Sequence, residues 1–235
     1  MTVNEQKLSA LEKTIGIQFS NRDLLKQAFI HRSYLNENRG KELEHNERME
    51  FLGDAVLELA VTEYLFEHYQ KPEGVLTSWR SAVVRGRSLS DEAKKLKIDE
   101  LLLTSRGEAK NVGKAKDLLL ANAFEALIGA IYLEHGYKNA FRFIEKFLIY
   151  KLSGIIENGE NIDPKGRFQE LAQDKFSITP SYLVLEESGP DHNKEFVVSA
   201  NLGNKEISRG DGSSKQSAQI AAAKAALVIF DQIKL

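Results

Sequence analysis

The chain has 235 residues, of which 42% are hydrophobic and 28% charged, a composition typical of globular proteins rather than of disordered or fibrous ones. It contains no cysteine, which excludes disulfide bonds, thiolate metal sites and cysteine nucleophiles and fits a reducing compartment. The formal net charge of -2 and the pI near 6.3 mean that any nucleic-acid binding must come from a local cluster of cations.

The N-terminal stretch MTVNEQKLSALEKTIGIQF carries a charge every few residues, so it lacks the apolar core of a signal peptide. No other run reads as long and uncharged enough to cross a bilayer. We therefore predict a cytoplasmic protein with no membrane partner.

The first part of the chain, from Lys7 to about Leu152, has apolar residues mainly at helical spacing, which predicts an all-α domain. A Ser, Thr or Asn precedes a periodic run at five candidate helix starts: Ser9, Asn21, Asn46, Thr77 and Ser88. The polar, glycine-bearing residues 153–162 predict a linker, because the pattern changes after them. The predicted division is therefore a domain at 1–152, a linker at 153–162 and a second domain at 163–235.

The second domain is predicted to be α+β, with the order α-β-β-β-α. A helix runs from Pro164 to about Phe176, with Asp163 as its cap. Turn clusters separate three β-rich runs, SYLVLEES, KEFVVSANL and KEISRG, which predicts an antiparallel meander. The last helix is capped by Ser213 or Ser214, and its expected apolar stripe consists of Ala218, Ala222, Ala225, Ile229 and Ile233.

The stretch HNERMEFLGDAVLELA, from His45 to Ala60, carries several acids within a helical pattern. On a helix that advances about 100° per residue, Glu47, Glu50 and Asp54 fall within an arc of about 60°. Considered alone, this acidic face favours an ordinary amphipathic helix with its carboxylates in water.

A further acid lies in a segment that is apolar all round. Between Leu118 and Leu133 the only strongly polar residues are Asn122 and Glu125, which share a face at positions i and i+3. A buried carboxylate takes a proton, pairs with a base or binds a cation, and this segment offers no Lys or Arg. The alternative to a ligand role is a hydrogen-bonded glutamate of the core.

Together, the two helices would direct Glu50, Asp54, Asn122 and Glu125 at one spot. Carboxylate and amide oxygens with no His or Cys nearby favour Mg²⁺, with Mn²⁺ as a substitute. Such a site suits phosphodiester hydrolysis, because the metal lowers the pKa of a bound water and stabilises charge in the transition state. The pattern therefore predicts a nucleic acid or a nucleotide as the substrate.

Three sequence blocks carry a resemblance to a known family: NERMEFLGDAVLELA, HRSY at His31 to Tyr34, and FEALIGAIYLEHG at Phe124 to Gly136. In this order, and over nearly the whole chain, they resemble bacterial ribonuclease III, which usually has Leu where Met49 stands. The resemblance implies an all-α endonuclease domain, dimeric through the signature helix, and a double-stranded-RNA-binding domain after it. It also implies Mg²⁺-dependent cleavage of both strands of duplex RNA, in the maturation of ribosomal and other RNAs.

The resemblance places the family's metal-binding carboxylates on Glu50, Asp54 and Glu125, with Glu125 the ligand most tied to turnover. The block ANAFEA departs from the family, which usually has Asp at the position of Asn122. An amide oxygen brings no charge, so metal affinity should fall or a water-mediated contact should replace the direct one. Two interpretations stay open: an enzyme that tolerates the change, and a double-stranded-RNA-binding protein of the same fold with weak or no cleavage.

Three further residues match family positions near this site. Glu47 would support the ligands, Phe51 would insert into the partner subunit, and Glu73 would edge the RNA-binding valley. The alternatives are a solvated acid for Glu47, a core side chain of the same subunit for Phe51, and an acid before a turn glycine for Glu73.

The second domain resembles double-stranded-RNA-binding domains in three contact regions. The first helix would reach one minor groove, the loop GPDH the next one, and the start of the last helix the phosphates between them. On their own, the first two regions are an exposed helix face and a simple turn. The RNA-binding residues that the resemblance implies are Gln169, Glu170, Gly189, Pro190, Asp191, His192, Ser214, Lys215 and Gln216.

The last helix has one cation fewer than is common in this family, which often shows two lysines where this chain has Lys215 and Gln216. RNA binding should therefore be weaker and less steeply dependent on salt. Lys194, Arg209 and Lys224 are candidates for additional contacts, and a solvated surface position is the alternative for each.

Overall fold

The computed structural model describes residues 4–38, 43–158, 164–190 and 194–232. The chain divides into two compact units, Met1–Asn161 and Ile162–Leu235, each with its own hydrophobic core.

The first unit is helical, which confirms the predicted all-α class. Short 3₁₀ turns lie at Ile98–Glu100, Glu108–Lys110 and Ile149–Lys151. Its helices in the described part of the chain are α1 (Glu5–Ile15), α2 (Arg22–Gln27), α3 (Arg32–Glu37), α4 (Glu47–His68), α5 (Glu73–Val84), α6 (Gly86–Lys95), α7 (Lys114–His135), α8 (Tyr137–Phe147) and α9 (Leu152–Asn158).

Two of the five predicted helix starts agree with the structure. Asn21 caps α2 by accepting a hydrogen bond from the Leu24 N–H at 3.1 Å, and Asn46 directly precedes α4. The other three predicted caps lie inside helices, because the first turns of those helices are polar or contain glycine and so show no apolar period. These misplaced caps are Ser9 in α1, Thr77 in α5 and Ser88 in α6.

The predicted linker 153–162 begins as a helix, because α9 extends to Asn158. Ile155 is buried and Ile156 packs against the same core, so the two side chains stabilise the helix although Gly154 is a weak helix former. The first six residues of the predicted linker are therefore helical, a correction to the sequence analysis. Residues 159–162 lie outside the described residues, and the other predicted domain boundaries stay a prediction.

The two 22-residue helices α4 and α7 cross in the middle of the first unit. A Cβ atom on Gly53 would lie 1.8 Å from the carbonyl oxygen of Glu125, and one on Gly129 would lie 2.3 Å from that of Met49. The two backbones therefore touch, and they can do so only because both residues lack a side chain.

Burial explains why α7 is apolar on all sides. Among the described helices, it alone is long and apolar enough to span a membrane, and 61% of its apolar window is buried inside the unit. The expectation that no run has this length and composition was therefore wrong. The apolar surface of α7 packs instead against α4, α6 and α8.

The second unit confirms the predicted α-β-β-β-α order. Its strands form one antiparallel sheet in the order β1-β2-β3, with an irregular register near Leu185 and near Ile207. The predicted cap Asp163 lies outside the described residues. The elements are α10 (Pro164–Phe176), β1 (Ser181–Ser188), β2 (Glu195–Leu202), β3 (Lys205–Gly212) and α11 (Lys215–Gln232).

The buried stripe of α11 differs from the predicted one: it contains Ala218, Ala222, Ala223, Ala226 and Phe230. Ala225 is only half-buried, Ile229 is 37% exposed, and Ile233 lies outside the described residues. The alanine side faces the sheet because β3 comes very close there: a Cβ atom on Gly210 would lie 2.1 Å from the backbone nitrogen of Ala222. The close approach of β3 at Gly210, rather than the size of the α11 side chains, therefore determines which face of α11 is buried.

Substitution of Gly53 by Ala should destabilise the first unit by about 3 kcal/mol, because the added methyl group has to force α4 and α7 apart. Gly154→Ala is the matched control, since a Cβ atom there has nothing within 4 Å and should stabilise α9 by up to about 1 kcal/mol. Urea unfolding followed by circular dichroism measures both changes. Equal midpoints for the two variants would contradict the close crossing.

Candidate active site and RNA-binding surface

The crossing of α4 and α7 brings together the four predicted metal-site residues. Asp54 directly follows Gly53, which touches the backbone of Glu125, and Glu50 lies one turn earlier on α4. The carboxylates of Glu50 and Asp54 both act electrostatically on Glu125. The side chain of Asn122, one turn before Glu125, forms a hydrogen bond with Glu50. The acidic side chains come within electrostatic range of one another because the helices that carry them are in backbone contact.

The burial of this site changes its protonation. Burial is the main cause that raises the pKa of Glu125 to about 8, and the negative charges of Asp54 and Glu50 add to it. Burial also raises the pKa of Glu50, as does Glu47, whereas the hydrogen bond from Asn122 acts in the opposite direction. At neutral pH, Glu125 therefore holds a proton when no cation is nearby.

The donor chemistry of the site fits a hard divalent cation. No Lys or Arg among the described residues shifts the pKa of Glu50 or Glu125, so the acids are not paired with a base. Nor do three His, Cys, Asp or Glu side chains in this part of the chain converge tightly enough to enclose an ion. Carboxylate and amide oxygens are nevertheless the ligands that Mg²⁺ and Mn²⁺ prefer.

Glu47 stands at the first position of α4, next to this group. Its carboxylate oxygens lie 3.4 Å from a guanidinium nitrogen of Arg32 and 3.7 Å from Nδ1 of His45, and its side chain is 42% exposed. It is thus both partly solvated and electrostatically coupled to Glu50. A supporting role for Glu47 stays a prediction.

Asn46 anchors the acidic turn in a way that the sequence analysis missed. It is buried, and its side chain makes no cap bond. Instead, its side-chain amide donates to the carbonyl of Ala28 at 3.1 Å and its backbone N–H to that of Ile30 at 2.9 Å. Its own carbonyl accepts from the Glu50 N–H at 2.8 Å. The residue therefore fixes the start of α4 to the residues that directly follow α2.

The HRSY block has a structural role beside the site. The backbone N–H of His31 donates to the Leu103 carbonyl at 2.9 Å, and the Ser33 hydroxyl accepts from the Ser105 N–H at 2.9 Å. The imidazole of His31 caps α3 by accepting from the Ser33 N–H. The block thus joins α3 to the segment that follows α6.

Phe51 lies on the outside of α4 and is 81% exposed. The alternative of a core side chain within the same subunit is therefore wrong. Leu59 and Phe66 are also exposed on α4, so this helix presents an apolar stripe to solvent. Glu73, at the start of α5, lies away from the acidic group, where it lines a cavity of about 830 Å³ with Phe66.

The predicted RNA-binding residues of the second unit are exposed where the structure describes them. Gln169 and Glu170 lie on α10, and Glu170 forms an exposed ion pair with Arg167 at 3.3 Å. Gly189 has a positive φ of 86°, which the turn after β1 requires. Pro190 follows it, whereas Asp191 and His192 lie outside the described residues.

The start of α11 combines a helix cap with a cation. The hydroxyl of Ser214 accepts from the Ser217 N–H at 3.1 Å, and that of Ser217 accepts from the Ser214 N–H at 2.9 Å. Lys215 and Gln216 follow on the exposed first turn, and the Lys215 ammonium lies 3.8 Å from a Glu187 carboxylate oxygen.

The three further cations differ in their surroundings. Lys194 pairs with Glu187 at 2.7 Å and Arg209 with Glu206 at 2.7 Å. Lys224 is exposed on α11. Two of the three charges are therefore partly neutralised within the unit.

Two family models match the chain in the order of its two units. The model described as "Ribonuclease-III-like" matches residues 21–152, and the "Double-stranded RNA binding motif" matches residues 164–228. The first model covers more than half of the chain. The chain belongs to the ribonuclease III family. Both units have the architecture that this family membership requires.

Curated relatives extend this likeness over nearly the full length. "Ribonuclease 3" of Geobacillus kaustophilus is 46% identical over 223 residues, which are 94% of this chain and 90% of the relative. "Ribonuclease 3" of Borreliella burgdorferi is 41% identical over 235 residues, with 99% and 96% covered. This ribonuclease III family member is accordingly an endoribonuclease that acts on double-stranded RNA.

A solved structure is similar to the first unit. The nuclease domain of ribonuclease III from Campylobacter jejuni is 40% identical, with a TM-score of 0.53 over 60% of this chain and 97% of that one. It was solved in a study of structural flexibility in a region involved in dimer formation.

Removal of divalent cations should make the stability of the first unit fall as the pH rises. The pKa of Glu125 is about 8 in the folded protein and near 4.5 in the unfolded chain, so between these values only the unfolded chain gives up the proton. At a pH below both pKa values, Glu125 is protonated in the folded and in the unfolded chain and no longer affects the stability. In chelator, Glu125→Gln should therefore be more stable than the parent at pH 8 and equal to it near pH 4.

Urea midpoints at several pH values measure this effect, and the exposed acid change Glu157→Gln serves as the control. The same pH dependence for the parent and for Glu125→Gln would show that Glu125 does not hold a proton in the folded state.

Proposed function

We propose that this protein is a homodimeric endonuclease that uses Mg²⁺, or Mn²⁺ in its place, to hydrolyse phosphodiester bonds in double-stranded RNA. Its role would be the processing of ribosomal and other RNA precursors in the cytoplasm. One observation carries the metal-dependent chemistry: Glu125, half-buried and without a basic partner, lies within electrostatic range of Glu50 and Asp54 at the contact of α4 and α7. An uncompensated acidic group of this kind is what a divalent cation would stabilise.

Glu50, Asp54 and Glu125 would hold the metal, and Asn122 would act as a neutral ligand or as the anchor of a water. When bound, the cation supplies the charge that activates a water and stabilises the phosphorane-like transition state. The protein's own contribution is orientation. Asn46 fixes the turn that carries Glu50, and the Asn122 amide holds the Glu50 carboxylate by a hydrogen bond.

The exposed stripe of α4 supports a homodimer. Phe51, Leu59 and Phe66 are 81%, 56% and 79% exposed on one helix, an arrangement that costs free energy in water and is relieved when a second copy covers it. The Campylobacter jejuni nuclease domain, with its region involved in dimer formation, is consistent with this assignment.

The second unit would hold the RNA duplex by its shape, through α10, the turn after β1 and the start of α11. Recognition of this kind reads phosphates and 2′-hydroxyls and is largely independent of sequence. With Lys215 followed by Gln216, the last contact brings one cation, so the salt dependence should be shallower than with two.

A second candidate function is a duplex-binding protein that cuts weakly or not at all. The observation that favours it is Asn122, which gives its hydrogen bond to Glu50 and brings no charge to the site. The presence of Glu50, Asp54 and Glu125 favours the enzyme.

Incubation with a long perfect RNA duplex should give short duplexes with Mg²⁺ or Mn²⁺ and no products with Ca²⁺ or chelator. Glu125→Gln should abolish cleavage because the substituted amide cannot supply a charged metal ligand, while RNA binding is unchanged. Gel analysis of products and a mobility shift in chelator measure the two properties separately. Retention of the duplex by the parent without any cutting would establish the binding-module alternative, and cleavage by Glu125→Gln would remove Glu125 from the site.

Asn122→Asp should lower the Mg²⁺ concentration for half-maximal cleavage by about tenfold, because it adds a charged oxygen ligand. In chelator the same variant should unfold at lower urea concentration than the parent, since a further carboxylate joins an acidic group without a base. Mg²⁺ titrations of the initial rate and urea midpoints measure these changes. An unchanged Mg²⁺ requirement would show that position 122 does not contact the metal.

A further inference from the structure

A cleft of about 560 Å³ on the first unit, between the start of α6 and the residues around α9, has four cations among its ten lining residues. Arg85, Arg87, Lys95 and Lys151 line it, with Asp91 as the one acid among its described lining residues. The chain as a whole has a net charge of -2, so this excess of positive charge is local. The overall composition of the chain does not explain this cluster of positive charge.

A buried carboxylate holds the two lysines of the cleft in place. The side chain of Glu92 is 3% exposed and lies 2.7 Å from the Lys95 ammonium and 2.9 Å from that of Lys151, and it also accepts from the Tyr150 hydroxyl. Lys151 donates in addition to the carbonyl and the hydroxyl of Ser88, so all of its hydrogens are used. Lys95 retains a free hydrogen and is 60% exposed. These two lysines are therefore held in place before any ligand arrives.

The two arginines connect this cleft with the candidate active site. Arg85 and Arg87 are exposed and flank Gly86, where α6 begins. The Cβ position of Gly86 lies 3.9 Å from the Cβ atom of Ala121, and Ala121 is the residue directly before Asn122. The two arginines are therefore attached to the backbone where α6 packs against α7, the helix that carries Asn122.

We infer that Arg85, Arg87 and Lys95 form a subsite for a backbone phosphate of the RNA duplex close to the cut, an assignment that rests on the function proposed above. Guanidinium groups bind phosphate oxygens in a bidentate manner, and a fixed ammonium adds a point charge. Lys151 has no free donor and contributes only its charge. The subsite would position the strand without reading its sequence.

The test uses the full-length protein in chelator, so that binding is measured without cleavage. Arg87→Ala should weaken binding of duplex RNA by about fivefold at 0.1 M salt, equally for unrelated sequences, and lower the slope of log K against log salt by about 1. Arg142→Ala, which removes an exposed arginine from α8, is the matched control and should change neither value.

Duplexes in which single phosphates are replaced by neutral methylphosphonates locate the contact. One or two replacements near the cut should weaken binding by the parent and have no further effect on Arg87→Ala. Competition with inorganic phosphate should leave RNA binding unchanged, because the contact depends on the duplex position. Equal effects of Arg87→Ala and Arg142→Ala, or additive effects of every methylphosphonate, would overturn the inference. Cleavage of the same duplex by the parent with Mg²⁺ tests the proposed function separately.

Discussion

The backbone contact of α4 with α7 is the constraint on which the rest of the first unit depends. Each helix has a glycine at the crossing, and each glycine faces the carbonyl region of the other helix. The close approach of the two helices brings Glu50 and Asp54 of α4 within electrostatic range of Glu125 on α7. The same contact also buries Glu50 and Glu125, which raises the pKa of both carboxyl groups. Packing and chemistry therefore have one origin here.

The sequence predicted the acids and the class of the fold but not the feature that joins them. Glu125 could be recognised because a lone acid in an otherwise apolar helix has no solvent to face. Gly53 and Gly129 carried a readable signal too, since glycine inside a helix costs free energy and needs a packing reason. That signal does not say which backbone each glycine meets, because the pairing of distant segments leaves no local pattern.

Other differences between prediction and structure have the same cause. The exposed Phe51 could not be distinguished from a core side chain, because both obey the same helical period. The buried face of α11 was misplaced by part of a turn, since it is selected by Gly210 and Gly212 of a strand far away in the sequence. Asn46 was recognised as a helix start, whereas its anchoring bonds to residues 28 and 30 depend on the tertiary fold. The sequence therefore predicted the chemical character of individual residues, but not the contacts between residues that are distant in the chain.

In the proposed metal site, the raised pKa of Glu125 would make the proton a competitor of the metal. A proton occupies this carboxyl group near neutral pH, so a cation that takes Glu125 as a ligand has to displace it. Below the pKa of about 8, each further unit of acidity would lower the apparent affinity of such a cation by up to about tenfold. The fraction of the protein that holds a cation would then depend on pH and on the concentration of divalent cations together, so that a fall in pH has the same effect as a fall in cation concentration.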